Sequence, residues 1–225
     1  MLTLDWQPLW LSLQLAAVTT LLLFALGLPL ARWLAHTPSR MKPVLEALIS
    51  LPLVLPPSVL GFYLLLALSP HSVLGQFLRD HFAVQLLFSF PGLVLGSLLY
   101  SLPFMVHPLL TGFQALPVAM TEASYLLGKS TLTTLWRIQL PNMKPALLSG
   151  VVLTFAHTLG EFGVVLMIGG NIPGVTRVAS IAIYDEVESL NYAAAHLYAG
   201  VLLLLSFTIL LCMYRWRSSV NQVIS

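Results

Sequence analysis

Residues 144–168 read KPALLSGVVLTFAHTLGEFGVVLMI, and Lys144 and Glu161 are the only charged side chains among these 25 residues. A helix needs about 20 mostly apolar residues to cross the hydrocarbon layer of a membrane, so this stretch is long enough to span one. Four other stretches have the same character, at roughly 9–34, 44–68, 83–111 and 192–214. The sequence therefore predicts an all-α integral membrane protein with five transmembrane helices in a single domain, residues 1–225.

The composition excludes several classes of protein. Apolar and aromatic residues make up 58% of the 225 residues and charged residues 8%, whereas soluble domains contain ~45–50% and ~25%. So few charges cannot cover a soluble enzyme or keep a chain disordered in water. The formal net charge of +2 is too small for a nucleic-acid-binding protein. Cys212 is the only cysteine, which excludes a disulfide framework and a multi-thiolate site. We expect neither a metal nor a cofactor.

The distribution of Lys and Arg predicts the orientation, because these residues prefer cytoplasmic loops. If the N-terminus lies outside, residues 35–43, the loop 112–143 and the C-terminal tail lie in the cytoplasm. Those segments and their flanks then hold eight of the ten basic residues: Arg32, Arg40, Lys42, Lys129, Arg137, Lys144, Arg215 and Arg217. Only Arg79 and Arg177 lie in the external segments. We therefore expect an external N-terminus and a cytoplasmic C-terminus.

The cytoplasmic loop contains residues 122–141, EASYLLGKSTLTTLWRIQLP. We expect a short helix from about residue 117 to 127, ended by Gly128, because glycine readily adopts the left-handed conformation that closes a helix. A second amphipathic stretch, residues 131–140, should stop at Pro141. One apolar face should form from residues at helical spacing: Ala119, Ala123, Leu126 and Leu127. The pattern alone fits an interfacial helix on the lipid headgroups as well as a docking helix.

Residues 123–130, ASYLLGKS, also match a relaxed nucleotide-binding pattern. A phosphate-binding loop follows a strand and contains small residues, so that its N–H groups can close on the phosphates. Here no strand is predicted, and the loop would contain Tyr125, Leu126 and Leu127. We therefore do not expect this chain to bind ATP.

The second apolar stretch is interrupted by prolines. Residues 51–61 read LPLVLPPSVLG and include Pro52, Pro56 and Pro57. Proline removes main-chain hydrogen bonds and kinks a helix, which a membrane tolerates only where neighbours or a cavity satisfy the freed groups. The predicted kink either serves packing or bends the helix around a pathway.

Glu161 is an ionisable side chain inside the fourth stretch, where such groups are costly unless they face the bundle interior or water. Gly160 and Gly163 flank it and permit a break or a close approach of main chains. His157 lies one helical turn earlier, which suggests that the two side chains share a proton or a hydrogen bond. They form either a structural pair between helices or part of a gate, and two ligands are too few for a metal site.

The cytoplasmic loop resembles the EAA loop of ABC-importer permeases, whose pattern is EAA, three residues, Gly, nine residues and Ile-x-Leu-Pro. The matching residues are Glu122, Ala123, Ser124, Gly128, Ile138, Leu140 and Pro141. Ser124 is the one departure, and it replaces one small residue with another. The resemblance covers essentially the whole chain. It implies the fold of a type I ABC-importer permease, whose coupling helix docks on a cytoplasmic ATPase subunit.

Three segments narrow the resemblance: LPLVLPPSVLG, LGEFG at 159–163 and GGNIPGVTR at 169–177. They are similar to segments of the molybdate-type oxyanion permeases, with tungstate and sulfate permeases as near relatives. The resemblance implies a transport subunit of the bacterial inner (plasma) membrane that is not an enzyme, because a separate subunit hydrolyses ATP. It also implies an external oxyanion-binding protein as a partner. We expect two copies around a two-fold axis, since five helices enclose a poor central pathway.

Further candidate site residues lie outside the cytoplasmic loop. The expected pathway or gate residues are Glu161, His157, Gly160, Gly163, Pro56 and Pro57. The expected external-loop residues are Asn171, Pro173 and Gly174.

Two other functions stay open. An ion-coupled secondary transporter would use His157 and Glu161, although the chain lacks the internal repeats typical of such proteins. An intramembrane enzyme would need a nucleophile beside a base, and His157 has no serine or cysteine at an evident spacing.

The orientation can be tested with a reporter enzyme that is active only in the cytoplasm. The asymmetry of eight basic residues against two predicts activity for fusions after Ser130 or Ser225, and none for fusions after Ser72 or Val187. The measurement is reporter activity normalised to the amount of fusion protein. The reverse pattern would overturn the orientation and, with it, the cytoplasmic placement of residues 117–141.

Overall fold

The computed structural model describes the main chain of residues 5–82 and 84–224 and the side chains of 5–82 and 84–215. These residues form α-helices, joined by turns and one π-helical segment, Leu135–Gln139. The helices are α1 Gln7–His36, α2 Lys42–Val54, α3 Pro57–Leu68, α4 Val73–Phe82, α5 Phe90–Gln114, α6 Val118–Leu126, α7 Thr131–Thr134, α8 Leu140–Asn142, α9 Lys144–Leu159, α10 Gly163–Gly169, α11 Ala179–Glu188 and α12 Tyr192–Ile224. The side chain of Arg217, used above for the orientation, lies outside the described residues.

Three of the described helices are long and apolar enough to cross a membrane by themselves: α1, α5 and, over Tyr192–Arg215, α12. Two helix pairs meet the same criteria together but are sharply bent. The axes of α2 and α3 differ by 110°, and those of α9 and α10 by 58°. If each pair is one span, the count is the predicted five. The protein is thus an all-helical membrane protein with three to five spans.

The third span begins later than predicted. The sequence predicted a start at about residue 83, which lies outside the described residues. Residues 84–89 are described and are not helical, so the prediction is wrong for them, and helix α5 begins at Phe90. Ser89 caps this helix, and its Oγ accepts a hydrogen bond from the main-chain N–H of Gly92 at 3.3 Å. A serine cap followed by a proline at the first turn is a strong start signal. The segment before α5 contains the amphipathic helix α4.

The second span is broken rather than kinked. Leu55 and Pro56 both have extended main-chain conformations, with ψ of 135°, because a residue before proline is disfavoured in the helical region. Pro57 then occupies the first position of α3, where its missing N–H costs nothing. Pro52 lies inside α2 without ending it.

Glycines bring the central helices α1, α5 and α9 into close contact. A Cβ atom added at Gly27 in α1 would lie 3.0 Å from Cγ of Met105. A Cβ atom added at Gly150 in α9 would lie 3.2 Å from Sδ of the same methionine. Met105, in α5, is fully buried between them. Small residues allow helices in membranes to approach closely enough for dispersion contacts to hold them together.

A second close contact joins the two half-helices that follow the breaks, α3 and α10. A Cβ atom at Gly61 would lie 2.8 Å from Cβ of Met167 and 3.3 Å from Cα of Val164. A Cβ atom at Gly163 would lie 2.7 Å from Cβ of Pro57. The starts of α3 and α10 therefore lie against each other.

The contact at Gly61 predicts a difference between two glycine variants. Gly61→Val should destabilise the protein by ~1–3 kcal/mol through overpacking, since the added side chain would push α3 away from α10. Gly200→Val is the matched control, because a Cβ atom there meets nothing within 4 Å. Both changes carry the same small helix-propensity effect. Thermal unfolding of the purified chain in one detergent measures the difference, and equal melting temperatures would contradict the close packing of α3 on α10.

Candidate functional site

Helix α6, in the loop 112–143, ends as the sequence predicts. The main-chain N–H of Gly128 donates to the carbonyl of Tyr125 at 2.9 Å, and that of Lys129 donates to the carbonyl of Ser124 at 3.1 Å. This pair of bonds is a Schellman motif, which requires a left-handed residue. Gly128 supplies it with a φ of 71°. A Cβ atom at Gly128 would meet nothing within 4 Å, so glycine is required by the main-chain conformation and not by space.

Ser124 connects α6 to the next helix. Its hydroxyl is buried and lies 2.8 Å from the hydroxyl of Thr134, which also donates to the carbonyl of Ser130. A second bond runs from Nε2 of Gln139 to Oγ1 of Thr121 at 3.4 Å. The residue that departs from the EAA pattern thus makes a buried hydrogen bond that alanine would lack.

The sequence predicted that the second helical stretch of the loop stops at Pro141, and this prediction is wrong. Helix α8 continues through Pro141 to Asn142. The preceding turn is π-helical, and the N–H of Leu140 bonds to the carbonyl of Leu135. Pro141 thus lies within a continuous helical path, two residues after the π-helical turn. Leu140 is buried and Ile138 half-buried, whereas Pro141 is exposed.

The predicted apolar face of α6 is present and uncovered. Leu126 is 89% exposed and Leu127 75%. Ala119, Ala123 and Glu122 are exposed as well. The first part of the EAA-like pattern therefore forms a protruding surface, and its end at Leu140 packs into the protein.

Glu161 lies at the break between α9 and α10. Its side chain is only 4% exposed, and neither carboxylate oxygen has a hydrogen-bond partner among the described residues. The hydroxyl of Ser97 on α5 lies near this carboxylate. It also has no hydrogen bond of good geometry to any described residue. The main-chain carbonyl of Glu161, freed by the break, accepts a 2.6 Å hydrogen bond from Oγ of Ser180 in α11.

The predicted pairing of His157 with Glu161 is wrong. Helix α9 ends at Leu159, and Gly160 caps it, so Glu161 leaves the helical path and the spacing of four residues no longer aligns the two side chains. Nδ1 of His157 lies 2.9 Å from Oγ of Ser101. Its ring stacks on Phe104 with centroids 3.9 Å apart.

The serine beside His157 was not found from the sequence, because Ser101 comes from another helix. Its hydroxyl is fully buried and also lies 2.9 Å from the hydroxyl of Thr158. A buried hydroxyl that already has two partners is poorly placed as a nucleophile, which needs contact with a substrate. The Ser101–His157 pair therefore serves to join α5 to α9.

The breaks bring together some of the predicted pathway residues. Gly163 lies directly against Pro57, next to Pro56. Gly160 is exposed and has no close neighbour beyond its own helix. His157 lies one turn away, on the Ser101 side of α9.

The segment 169–191, which the sequence places outside, contains side-chain contacts beyond its Gly/Pro-rich start. Asn171 donates from Nδ2 to the Asp185 carboxylate at 2.7 Å, and Arg177 pairs with the same carboxylate at 3.1 Å. Gly174 has a φ of 75°, and a Cβ atom there would meet Nε2 of Gln7 at 2.7 Å. Pro173 is exposed.

The acidic residues Asp185, Glu186 and Glu188 lie on α11, a helix that we did not predict from the sequence. Val178, Ala179, Ile181 and Ala182 are buried, and this helical spacing was the available signal. The N–H of Ala179 donates to Oγ of Ser12 in α1 at 2.8 Å. On the opposite face, the hydrogen bond from Tyr184 to Glu188 and the nearby negative charge raise the pKa of the Tyr184 phenol.

A family model described as "Binding-protein-dependent transport system inner membrane component" matches residues 27–218. The chain belongs to this family. It is therefore a membrane-embedded transport component and not an enzyme, as the sequence predicted.

Curated relatives match over nearly the whole chain. The molybdenum transport system permease protein ModB of Azotobacter vinelandii is 46% identical over 213 residues, which cover 95% of this chain and 94% of the relative. The putative molybdenum transport system permease protein YvgM of Bacillus subtilis is 35% identical and covers 90% and 89%. The probable sulfate transport system permease protein cysT of Nephroselmis olivacea is 32% identical and covers 94% and 74%.

Solved structures show the same fold at low sequence identity. A chain of the inward-facing MetNI methionine ABC transporter matches with a TM-score of 0.72 at 16% identity, covering 95% of this chain and 94% of that one. A chain of the bacterial alginate ABC transporter, solved with an alginate pentasaccharide-bound periplasmic protein, matches with a TM-score of 0.75 at 18% identity, covering 92% and 76%. The all-helical fold is that of ABC-importer permeases.

The environment of Glu161 predicts that its substitutions separate stability from transport. The carboxyl group has no described partner, so Glu161→Gln and Glu161→Leu should both fold and insert into the membrane. Glu161→Leu should be as stable as the unchanged chain or up to ~1 kcal/mol more stable, because no buried hydrogen bond is lost. If the carboxyl group acts in a gate, both variants lower turnover while the apparent affinity for the solute is kept.

Ser101→Ala is the control for a buried polar group that does have partners. It should lower the stability by ~1 kcal/mol, since it leaves His157 and Thr158 without their bond. Thermal unfolding in detergent and initial uptake rates measure the two effects. A changed solute selectivity in Glu161→Gln would show instead that Glu161 lines a binding site.

Proposed function

We propose that this chain is the permease subunit of an ATP-driven importer for molybdate in a bacterial inner membrane. Its 46% identity to a molybdenum transport permease over nearly its whole length carries this proposal. We further propose a single domain with five spans, in which each bent helix pair crosses once, with an external N-terminus and a cytoplasmic C-terminus. Two copies would enclose the pathway between them.

The partners follow from the transport systems that this family serves. A cytoplasmic ATPase subunit would bind each copy, and an external oxyanion-binding protein would deliver the anion near Asn171, Pro173 and Gly174. The coupling surface would be the exposed face of α6, with Glu122, Ala123 and the Gly128 turn. Ser124, Ile138, Leu140 and Pro141 would fix this surface to the membrane helices, a role supported by the burial of Ser124 and Leu140.

Physical chemistry requires an energy source for this direction of transport. A divalent anion moved into a cell at 100 mV, negative inside, costs about 4.6 kcal/mol, since each charge costs ~2.3 kcal/mol. An open channel would therefore conduct outward. Alternating access driven by ATP hydrolysis in the partner subunit solves this problem, and it makes an ion-coupled mechanism through His157 and Glu161 unnecessary.

The pathway would pass the helix breaks at Pro56–Pro57 and Gly160–Gly163. Broken main chain at membrane depth is tolerated only where protein or a water-filled cavity satisfies it, and transporters place broken helices around their solute. The close contact of Gly163 with Pro57 supports joint movement of the two breaks. Glu161 would act there as a gate element and not as an anion ligand, because like charges repel strongly at low dielectric.

The solute is tested by uptake in bacteria that lack their own molybdate permease. The full chain is expressed with its ATPase and binding protein, and initial uptake of radioactive molybdate is measured with and without a hundredfold excess of sulfate or tungstate. We expect uptake that depends on the chain and persists in excess sulfate. The cysT-like relatives support sulfate as the alternative, and uptake of sulfate with no uptake of molybdate would establish it.

The coupling role of α6 predicts a steep effect at Gly128. Gly128→Val should lower uptake at least tenfold, since a left-handed conformation costs ordinary residues ~1–2 kcal/mol and β-branched ones more. The amount in the membrane should be unchanged, because the added side chain meets open space. Gly128→Asn is the matched control and should retain most of the uptake, as asparagine tolerates this conformation. Full uptake by the valine variant would contradict the coupling assignment.

A further inference from the structure

A cleft of about 760 Å³ opens between the last turns of α1 and the cytoplasmic loop. Its walls are mostly apolar and come from both sides, with Leu28, Pro29 and Trp33 on α1 and Leu132 and Leu135 after α6. This volume lies within the range of pockets that hold drug-sized ligands, ~300–1,000 Å³. The cleft does not belong to the helix breaks or to the exposed face of α6.

One cation lies in this apolar cleft. Arg32 is half-buried among its lining residues, and no carboxylate within the described part of the chain forms an ion pair with its guanidinium. His36 and Thr121 add polar groups beside it. A guanidinium binds phosphate oxygens with charge-assisted hydrogen bonds. Apolar walls with a single unpaired guanidinium therefore fit a molecule with an anionic head and an apolar body.

The depth of the cleft favours a lipid over a soluble anion or a protein. Leu28 lies eight residues before His36, the last residue of α1, so the cleft extends about 12 Å along a membrane-crossing helix at 1.5 Å per residue. Trp33 lines the cleft and is half-exposed, and tryptophan is enriched at the level of the lipid headgroups. A subunit docked on the cytoplasmic surface would not fill the deep part.

Helix α6 presents different faces to the cleft and to the cytoplasm. Thr121 and Tyr125, which lie four residues apart on one side of the helix, line the cleft. Leu126 and Leu127 are strongly exposed and do not line it. An occupant of the cleft would therefore touch the coupling helix without covering its docking face.

We propose that this cleft binds an anionic phospholipid, with the phosphate on Arg32 and the upper acyl chains along Leu28, Pro29 and Leu132. In the expected orientation the cleft opens to the cytoplasmic leaflet, whose anionic lipids attract basic residues. The lipid bridges α1 and α6 and supports the coupling helix from behind. The lipid site does not depend on which solute is transported. An experiment can therefore disprove the lipid site without affecting the molybdate assignment, and an experiment can disprove the molybdate assignment without affecting the lipid site.

Binding is tested on the purified full chain in detergent, with phosphatidylglycerol and phosphatidylcholine of identical acyl chains, and bound lipids are counted by native mass spectrometry. We expect one phosphatidylglycerol per chain, bound about fivefold more tightly than phosphatidylcholine, which corresponds to the ~1 kcal/mol of a basic residue near anionic lipid. Arg32→Gln should abolish this preference. Arg40→Gln, a change of an exposed arginine outside the cleft, should keep it.

A second variant tests whether the lipid binds inside the cleft. This test is needed because general surface charge could also produce a preference for phosphatidylglycerol. Leu132→Trp would fill the cleft from a position that is largely exposed, and it should lower the binding of both lipids while Arg32 is kept. An unchanged phosphatidylglycerol preference in Arg32→Gln would overturn the site, and so would unchanged binding in Leu132→Trp.

Two further measurements separate a lipid from other occupants of the cleft. Inorganic phosphate, added at the same concentration as the lipid, should not displace it. Displacement by phosphate would show a soluble-anion site. Loss of the bound lipid when the ATPase subunit assembles with the chain would show that protein covers the cleft. Either result would overturn the lipid assignment.

Discussion

Helices in a membrane cannot rely on the hydrophobic effect to bind one another, because the lipid chains around them are as apolar as their own side chains. Association therefore depends on how closely the main chains approach. Here Met105 on α5 fills the space left by Gly27 on α1 and Gly150 on α9. The three helices form a framework through this contact and through the core around Leu23, Leu34 and Leu109. The half-helices α2 and α10 and the end of the loop 112–143 are attached to that framework.

The breaks create a second requirement, since every freed main-chain group at membrane depth needs a partner. Hydroxyl side chains from α11 and the preceding loop supply two of them. Ser180 donates to the carbonyl of Glu161, and Thr176 donates to the carbonyl of Gly169 at the end of α10. Both ends of α10 are thus held by the segment 170–188. This segment therefore supports the half-helix α10 at both of its ends.

Features that depend on local chemistry were predictable from the sequence. The five apolar stretches followed from length, and the left-handed turn at Gly128 followed from the spacing of its helix. Contacts between distant segments were not predictable. Glu161 follows His157 by four positions, but the helix ends between them at Gly160, and the partner of His157 comes from α5. Helices α4 and α11 were missed because they are short and amphipathic and follow turn-rich segments.

The π-helical turn at Leu135–Gln139 has a consequence for how this loop tolerates change. Such a turn closes after five residues instead of four, so it holds one residue more than an α-helical turn and rotates all that follows by about 100°. Within the turn and directly after it, Gln139 and Leu140 are buried while Trp136 and Arg137 are exposed. The turn is equivalent to a single-residue insertion. Relatives that lack this extra residue would need a different set of inward-facing side chains to seat the same loop.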